Sequence, residues 1–482
     1  MTLKIERDSK LKASTNMVIV QLGLYALPII AMPYIVKTVG VENCGKYFFF
    51  QSIMGLLNYI VDYGFAQSGV RHIAASKTLR TINFEYSQIF WVKFFTFLVA
   101  VFIGLLLFFF DKFSGEKILF SCSFLWLVVG LLDTFFVYQG IEKLKDYVNI
   151  NLISSLVTFV LLFLIIRNED DYIYLPVVYL APRVLASFFL IYLLYHRFNI
   201  APSYFVTSMI IKKFKKSFSV FVTSIFSVIY SKSPIVLLGF ISGNLYVGYY
   251  SLADQLFSAY SNIQGRVSSV YQPQIAHGLK NNYHDGILKA KEALMVISIL
   301  AIAGLVFTQT FAYDILFLLY KKNAEFSQLA LKLLSFNFVI IQINSLLAVQ
   351  ILISFHKEKD LLKPSCFAAI ISIFAGSVLI YYFQHIGAAI SVVLIESFIF
   401  LCLFFKTLRY NFKLFSGDFL KRMFYYSMSV FAIATILKYL CLSVEIHIYI
   451  KFPIVVLFYG LSILPVIKML KMVDFKERKI LI

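Results

Sequence analysis

Lys37, Asp62, Lys93, Asp133, Arg183, Lys232, Asp254, Arg266, Lys332, Glu396 and Lys438 stand inside or at the ends of long apolar runs. An ionisable side chain in such surroundings is costly unless it faces water, a ligand or an opposite charge. These residues are therefore the ones able to do chemistry. Arginine offers a planar fork, and lysine a point charge, to an anion such as phosphate. Lys232 near the middle of its run, Arg183 directly after Pro182, and Arg266 are the best placed to form a cationic binding surface. Asp62, Asp254 and Glu396 have two open roles. They can neutralise those cations as structural ion pairs, or they can carry a coupling ion, H+ or Na+, as water access alternates. Asp254 and Arg266 are twelve residues apart, which on one helix is ~120° around and ~18 Å along, too far to pair with each other. Lys37, Lys93, Lys332 and Lys438 lie near the ends of their runs and read as anchors whose stems reach water.

These residues are positioned by helices in lipid. The chain has 482 residues, is 60% hydrophobic and only 14% charged, whereas a soluble domain is nearer half apolar and a quarter charged. Runs of about twenty apolar residues cross a ~30 Å hydrocarbon core as helices. Such spans are expected at 14–39, 46–68, 87–110, 117–139, 146–166, 172–195, 217–241, 246–273, 289–311, 328–354, 362–383, 386–408, 422–442 and 448–468. The expectation is thus an all-α polytopic membrane protein of about fourteen transmembrane helices. No extramembrane catalytic domain is left over. The first run is interrupted by Pro28 and Pro33 and lacks a small-residue cleavage site, so it reads as a retained span.

A formal net charge of +19 raises nucleic acid as a partner, but no polar domain is long enough to hold a basic binding face. The positive-inside rule accounts for the excess instead. With the N-terminus, alternate loops and C-terminus on one side, about 30 of the 44 basic residues fall there and about seven opposite. Both termini are expected in the cytoplasm of a bacterial inner membrane, with membrane lipids as partners. The five cysteines show no metal or disulfide spacing, and no metal site is expected.

The longest cytoplasmic loop, 197–216, separates an N-terminal six-helix bundle, 1–196, from a second, 217–408; residues 409–482 add two helices and a tail. Pro28 and Pro33 in span one are matched by Pro234 in span seven, the pattern of a transporter whose broken helices line its route and bend at its gate. Gly40-Val-Glu-Asn-Cys-Gly45-Lys46-Tyr47 nearly fits a phosphate-binding loop, but it lacks the Ser or Thr for magnesium and follows a helix, and so reads as a tight turn.

That turn also resembles the outer turn of the polysaccharide flippase family, the Wzx-type members of the MOP superfamily that includes MATE exporters and lipid II flippases. Four further segments follow in the family's order. They are Asp62-Tyr-Gly-Phe with Arg71-His72-Ile73-Ala74, Tyr138-Gln-Gly-Ile-Glu-Lys-Leu, Val247-Gly-Tyr-Tyr-Ser-Leu-Ala-Asp254, and Ile386-Gly-Ala-Ala-Ile with Glu396. Gln255 departs from the pattern, where the family carries Lys.

The resemblance implies two MATE-like six-helix bundles and a flippase, not an enzyme. It would move an undecaprenyl-pyrophosphate-linked oligosaccharide of O-antigen or a related polysaccharide from the cytoplasmic to the periplasmic leaflet by alternating access. No cofactor is implied; a polysaccharide polymerase and a chain-length regulator are the implied partners. Lys232, Arg183 and Arg266 would meet the pyrophosphate, and Tyr230 and Tyr260 are candidates to stack on sugar. Two other classes compete. A MATE-like ion-coupled exporter of cationic drugs needs a cavity dominated by carboxylates. A membrane-embedded polymerase or glycosyltransferase needs a larger outer loop than 312–327.

Overall fold

The computed structural model describes residues 27, 29–76, 78–281, 283–355, 359–410, 412, 414–442, 448–470, 473–474 and 479–480. Pro28 lies outside them. The chain forms two compact units, with the boundary between Gly248 and Tyr249.

In the first unit, α1 (Ile29–Val39) turns at Gly40, whose φ of 82° is open to glycine, into α2 (Val41–Asp62). The helix expected over 46–68 is broken. Tyr63 and Gly64 both take positive φ, and a short α3 (Phe65–Ala75) follows. Thr78 and Thr81 form a reciprocal capping box that starts α4 (Leu79–Leu107). The expected fourth span is also broken, into α6 (Lys117–Ser123), α7 (Leu125–Leu132) and α8 (Phe135–Gly140), after a single turn, α5 (Asp111–Ser114). Next come α9 (Leu144–Ile165), α10 (Leu175–Phe198), closed by left-handed Asn199, and α11 (Thr207–Ile241).

The second unit holds most of α12 (Asn244–Asn281), then α13 (Tyr283–Tyr320), bent at Phe311, α14 (Ala324–Ser335) and α15 (Asn337–Ser345). A π-helical stretch continues α15 over Leu346–Leu352. The helix α16 (Lys359–Arg409) is interrupted at Gln384, between the eleventh and twelfth expected spans. Finally α17 (Gly417–Leu442) and α18 (Ile448–Met469) pack on α13 through Tyr426, Val430 and Tyr459.

Among the described residues, nine stretches are long and apolar enough to cross a bilayer; two of them, of 70 and 50 residues, are long enough to cross twice. Their outer surfaces invert the soluble pattern. On α4 the exposed side chains include Phe95, Leu98, Val99, Phe102, Leu105 and Leu106, an apolar stripe at helical spacing that only lipid can cover. The protein is multi-pass and membrane-embedded. The exceptions are α2 and α12, neither of which holds an apolar stretch of spanning character among those nine.

Candidate functional site

The sequence motifs meet in space. A Cβ on Gly45 would collide with the Asn244 carbonyl, and one on Gly248 with that of Val41, so α2 crosses the start of α12 at backbone contact. Gly140 stands against Ile73 in the same way, where a Cβ would come within 2.5 Å of the side chain. The glycines of the first and fourth motifs thus pack on each other, while Gly140 of the third packs on Ile73 of the second.

Inside the first unit the two helix breaks face one buried lysine. Lys93 is 1% exposed, not an anchor in water as its place near a span end suggested. Its Nζ donates to the backbone carbonyl of Asp133 at 3.1 Å, where α7 ends and that carbonyl has no helical partner. The Asp133 carboxylate accepts from the Tyr147 hydroxyl at 3.0 Å and from the Phe135 amide at 3.0 Å. Asp62, at the other break, accepts from the Ala66 amide through both oxygens at 3.2 Å, satisfying an orphan donor of α3, and lies within the electrostatic reach of Lys93. The position of Lys93 on the inner face of α4 decides its burial; distance from a span end does not.

Arg183 on α10 lines a small open cleft together with Tyr179, Ser155 and Thr158. Its guanidinium lies 5.9 Å from the ring of Trp126. Lys232 is half-buried on α11, two residues before the buried Pro234. Among the described residues neither cation forms an ion pair. Pro33 lies within α1.

The second unit contains a polar ladder. The Nε2 of Gln342 donates to the Ser261 carbonyl at 3.1 Å, and Gln350 Nε2 to the Ser268 carbonyl at 3.1 Å and to its hydroxyl. Seven residues on α12 are thus matched by eight on α15 and its continuation. The wider turn of the π-helix absorbs the extra residue. Between the two clamps Gln264 is 1% exposed, and neither of its amide atoms has a partner. Glu396 on α16 is buried and is held by Asn344: Nδ2 donates to Oε2 at 2.8 Å and to the backbone carbonyl at 3.1 Å. Asp254 and Arg266 are half-buried on α12, and each makes polar interactions of its own.

Tyr260 is engaged structurally. Its hydroxyl donates to the Leu300 carbonyl at 2.7 Å and its ring lies against Gly304 and Phe338. Lys438 donates to the Thr310 carbonyl at 2.8 Å, an acceptor beside the bend at Phe311.

The structure therefore gathers Asp62, Lys93 and Asp133 in one unit, and Glu396 with Asn344 in the other. Asn344, Gln264, Gln342 and Gln350 escape a search limited to charges. Amides standing in the apolar run 337–352 are the signal that reveals Gln342, Asn344 and Gln350.

Residues 11–279 match a family described as "Polysaccharide biosynthesis protein". The chain is 22% identical over 396 residues to the "Putative O-antigen transporter" of Escherichia coli (strain K12), covering 80% of this chain and 95% of that protein. It is 24% identical over 373 residues to the protein of that name from Shigella dysenteriae, covering 77% and 93%. In fold it resembles the lipid II flippase MurJ in an inward closed conformation, with TM-score 0.71 and 15% identity over 95% of this chain and 99% of that one. A MATE family multidrug transporter of the MOP superfamily, facing inward, aligns with TM-score 0.55 and 15% identity over 82% and 96%.

Proposed function

Because the chain belongs to the polysaccharide biosynthesis protein family and shares its fold with flippases and exporters of the MOP superfamily, we propose that it is a polysaccharide transporter that flips an undecaprenyl-pyrophosphate-linked oligosaccharide. The direction is from the cytoplasmic to the periplasmic leaflet of a bacterial inner membrane, with both termini in the cytoplasm. The lysine and arginine asymmetry of the loops supports that orientation. No bond is broken; a polymerase and its chain-length regulator consume what is delivered.

One observation carries the substrate class. Arg183 and Lys232 lie in membrane helices with no carboxylate neutralising them among the described residues. Of the acids in the apolar runs, Asp62 is engaged by the start of α3 and Glu396 by Asn344. Unneutralised cations at membrane depth favour an anion that must cross, and a pyrophosphate left unpaired there costs many kcal/mol. Arg266 on α12 is a third contributor to phosphate contact. A cavity built for cationic drugs needs the reverse balance.

Glu396 is the group best arranged to carry the coupling ion. Asn344 orients its Oε2, while Oδ1 of the same amide has no partner. A carboxylate and a carbonyl oxygen side by side suit a proton or Na+. Pro33 and Pro234, each lacking the backbone N–H that would tie its turn, are the points at which α1 and α11 would bend as access alternates.

Reconstitution tests the reading. Proteoliposomes containing the protein should move a fluorescent polyprenyl-pyrophosphate oligosaccharide between leaflets, and the R183A and K232A variants should slow this at least tenfold. Equal flipping in protein-free vesicles, or unchanged rates in both variants, would remove it.

A further inference from the structure

The first third of α11 has no role in the transport reading. Helix α11 is 35 residues long, but its apolar run begins only at residue 217. The preceding turns continue the helix axis out of the hydrocarbon. At 100° per residue they present three faces. Ile210, Lys213 and Ser217 form the docked face, exposed by only 6%, 8% and 2%. There Lys213 pairs with Glu85 on α4, and Phe214 at the edge stacks on Tyr63 at 4.4 Å. Burial lowers the Lys213 pKa while Glu85 raises it, so this lysine is spent on the fold. Ile211 and Phe218 turn about 100° away and are exposed, forming an apolar stripe with Phe214. Lys212, Lys215 and Lys216 lie beside that stripe, on the outward side, and are also exposed.

We infer that this segment is a binding surface for anionic phospholipid headgroups. Depth identifies the occupant. Lys216, Lys215 and Lys212 precede the start of the apolar run at residue 217 by about 2, 3 and 8 Å along the helix. A bilayer of ~40–45 Å with a ~30 Å core has about 5–8 Å of headgroup region on each side, the layer these lysines occupy. A soluble acidic partner would need no apolar stripe. A lipid needs both, phosphate against lysine and acyl chain against Ile211 and Phe218. The bound lipid braces α11 next to the half of the helix that carries Pro234 and Lys232. Each lysine at an anionic surface contributes about fivefold to binding.

The test uses the full-length protein in nanodiscs of phosphatidylcholine with or without phosphatidylglycerol. Lipid retention is read by native mass spectrometry and stability by thermal unfolding. Wild-type protein should retain phosphatidylglycerol over phosphatidylcholine and melt higher in its presence. The K212Q/K215Q/K216Q variant should lose at least fivefold of that preference, and K212R/K215R/K216R should keep it. K143Q/K145Q, which removes charge from another loop, should also keep it. Wild-type protein without a preference, a Gln variant that retains it, or an equal loss in K143Q/K145Q would each overturn the inference. Should the triple variant not fold, K212Q and K216Q singly give the same reading.

Discussion

Asn344 binds Glu396 twice, through the carboxylate at 2.8 Å and through the backbone carbonyl at 3.1 Å. The second bond fixes the amide to the turn that carries the acid, so Oε2 cannot move without Asn344 moving too. An acid held in this way is oriented but not neutralised. Glu396→Gln keeps the shape and removes the charge. It should leave the melting temperature within a few degrees and lower ion-driven export at least tenfold, as measured in proteoliposomes with an imposed H+ or Na+ gradient. Full gradient-driven export by this variant would place the coupling ion elsewhere.

Lys93 is the bolt between two helix breaks. Lys93→Met leaves the Asp133 carbonyl without its donor and Asp62 without its nearby cation, a loss of about 3 kcal/mol or more by the usual cost of an uncompensated buried charge. Thermal unfolding in detergent should show a clear drop, partly recovered in K93M/D62N. An unchanged midpoint for K93M would mean that Lys93 does not hold the breaks together.

Two glycines of one helix should respond oppositely to alanine. At Gly45 a Cβ collides with the Asn244 carbonyl, whereas at Gly55 it meets nothing within 4 Å. Gly45→Ala should cost about 1–3 kcal/mol through overpacking. Gly55→Ala should be neutral or stabilise by up to about 1 kcal/mol, since alanine favours a helix interior. Folded yield by fluorescence-detected size exclusion distinguishes the two.

The π-helical stretch keeps two clamps in register. Inserting one alanine after Ala348 lengthens the match from eight residues to nine, more than this π-helical stretch absorbs, so the two glutamines cannot both reach Ser261 and Ser268. The variant should still insert into the membrane but melt lower and transport poorly. Wild-type melting would show that the register of the two clamps has no structural task.

How much of this is legible in the sequence depends on what each feature costs. The lipid-facing helices show plainly, since each needs a long apolar run. The interruption at Gln384 coincides with the expected boundary between 383 and 386, and α18 matches the expected 448–468 within a residue. The breaks at Asp62 and Asp133 leave little trace beyond Gly64, because side chains distant in sequence satisfy the backbone groups they free. Lys93 is misread for a related reason: depth along a span is visible in sequence, but which way a helix face points is not. The motif glycines are visible as motifs, while the close crossings that require them appear only when Gly45 meets Asn244 and Gly140 meets Ile73.

The central claim is that this chain moves a lipid-linked sugar through the membrane. Its most direct test is to delete the gene and measure, in each leaflet, the polyprenyl-linked repeat unit. The account predicts accumulation on the cytoplasmic side, reversed by the wild-type chain but not by an equally expressed R183A/K232A variant. Normal amounts of the repeat unit, reaching the periplasmic leaflet in the deletion strain, would contradict it.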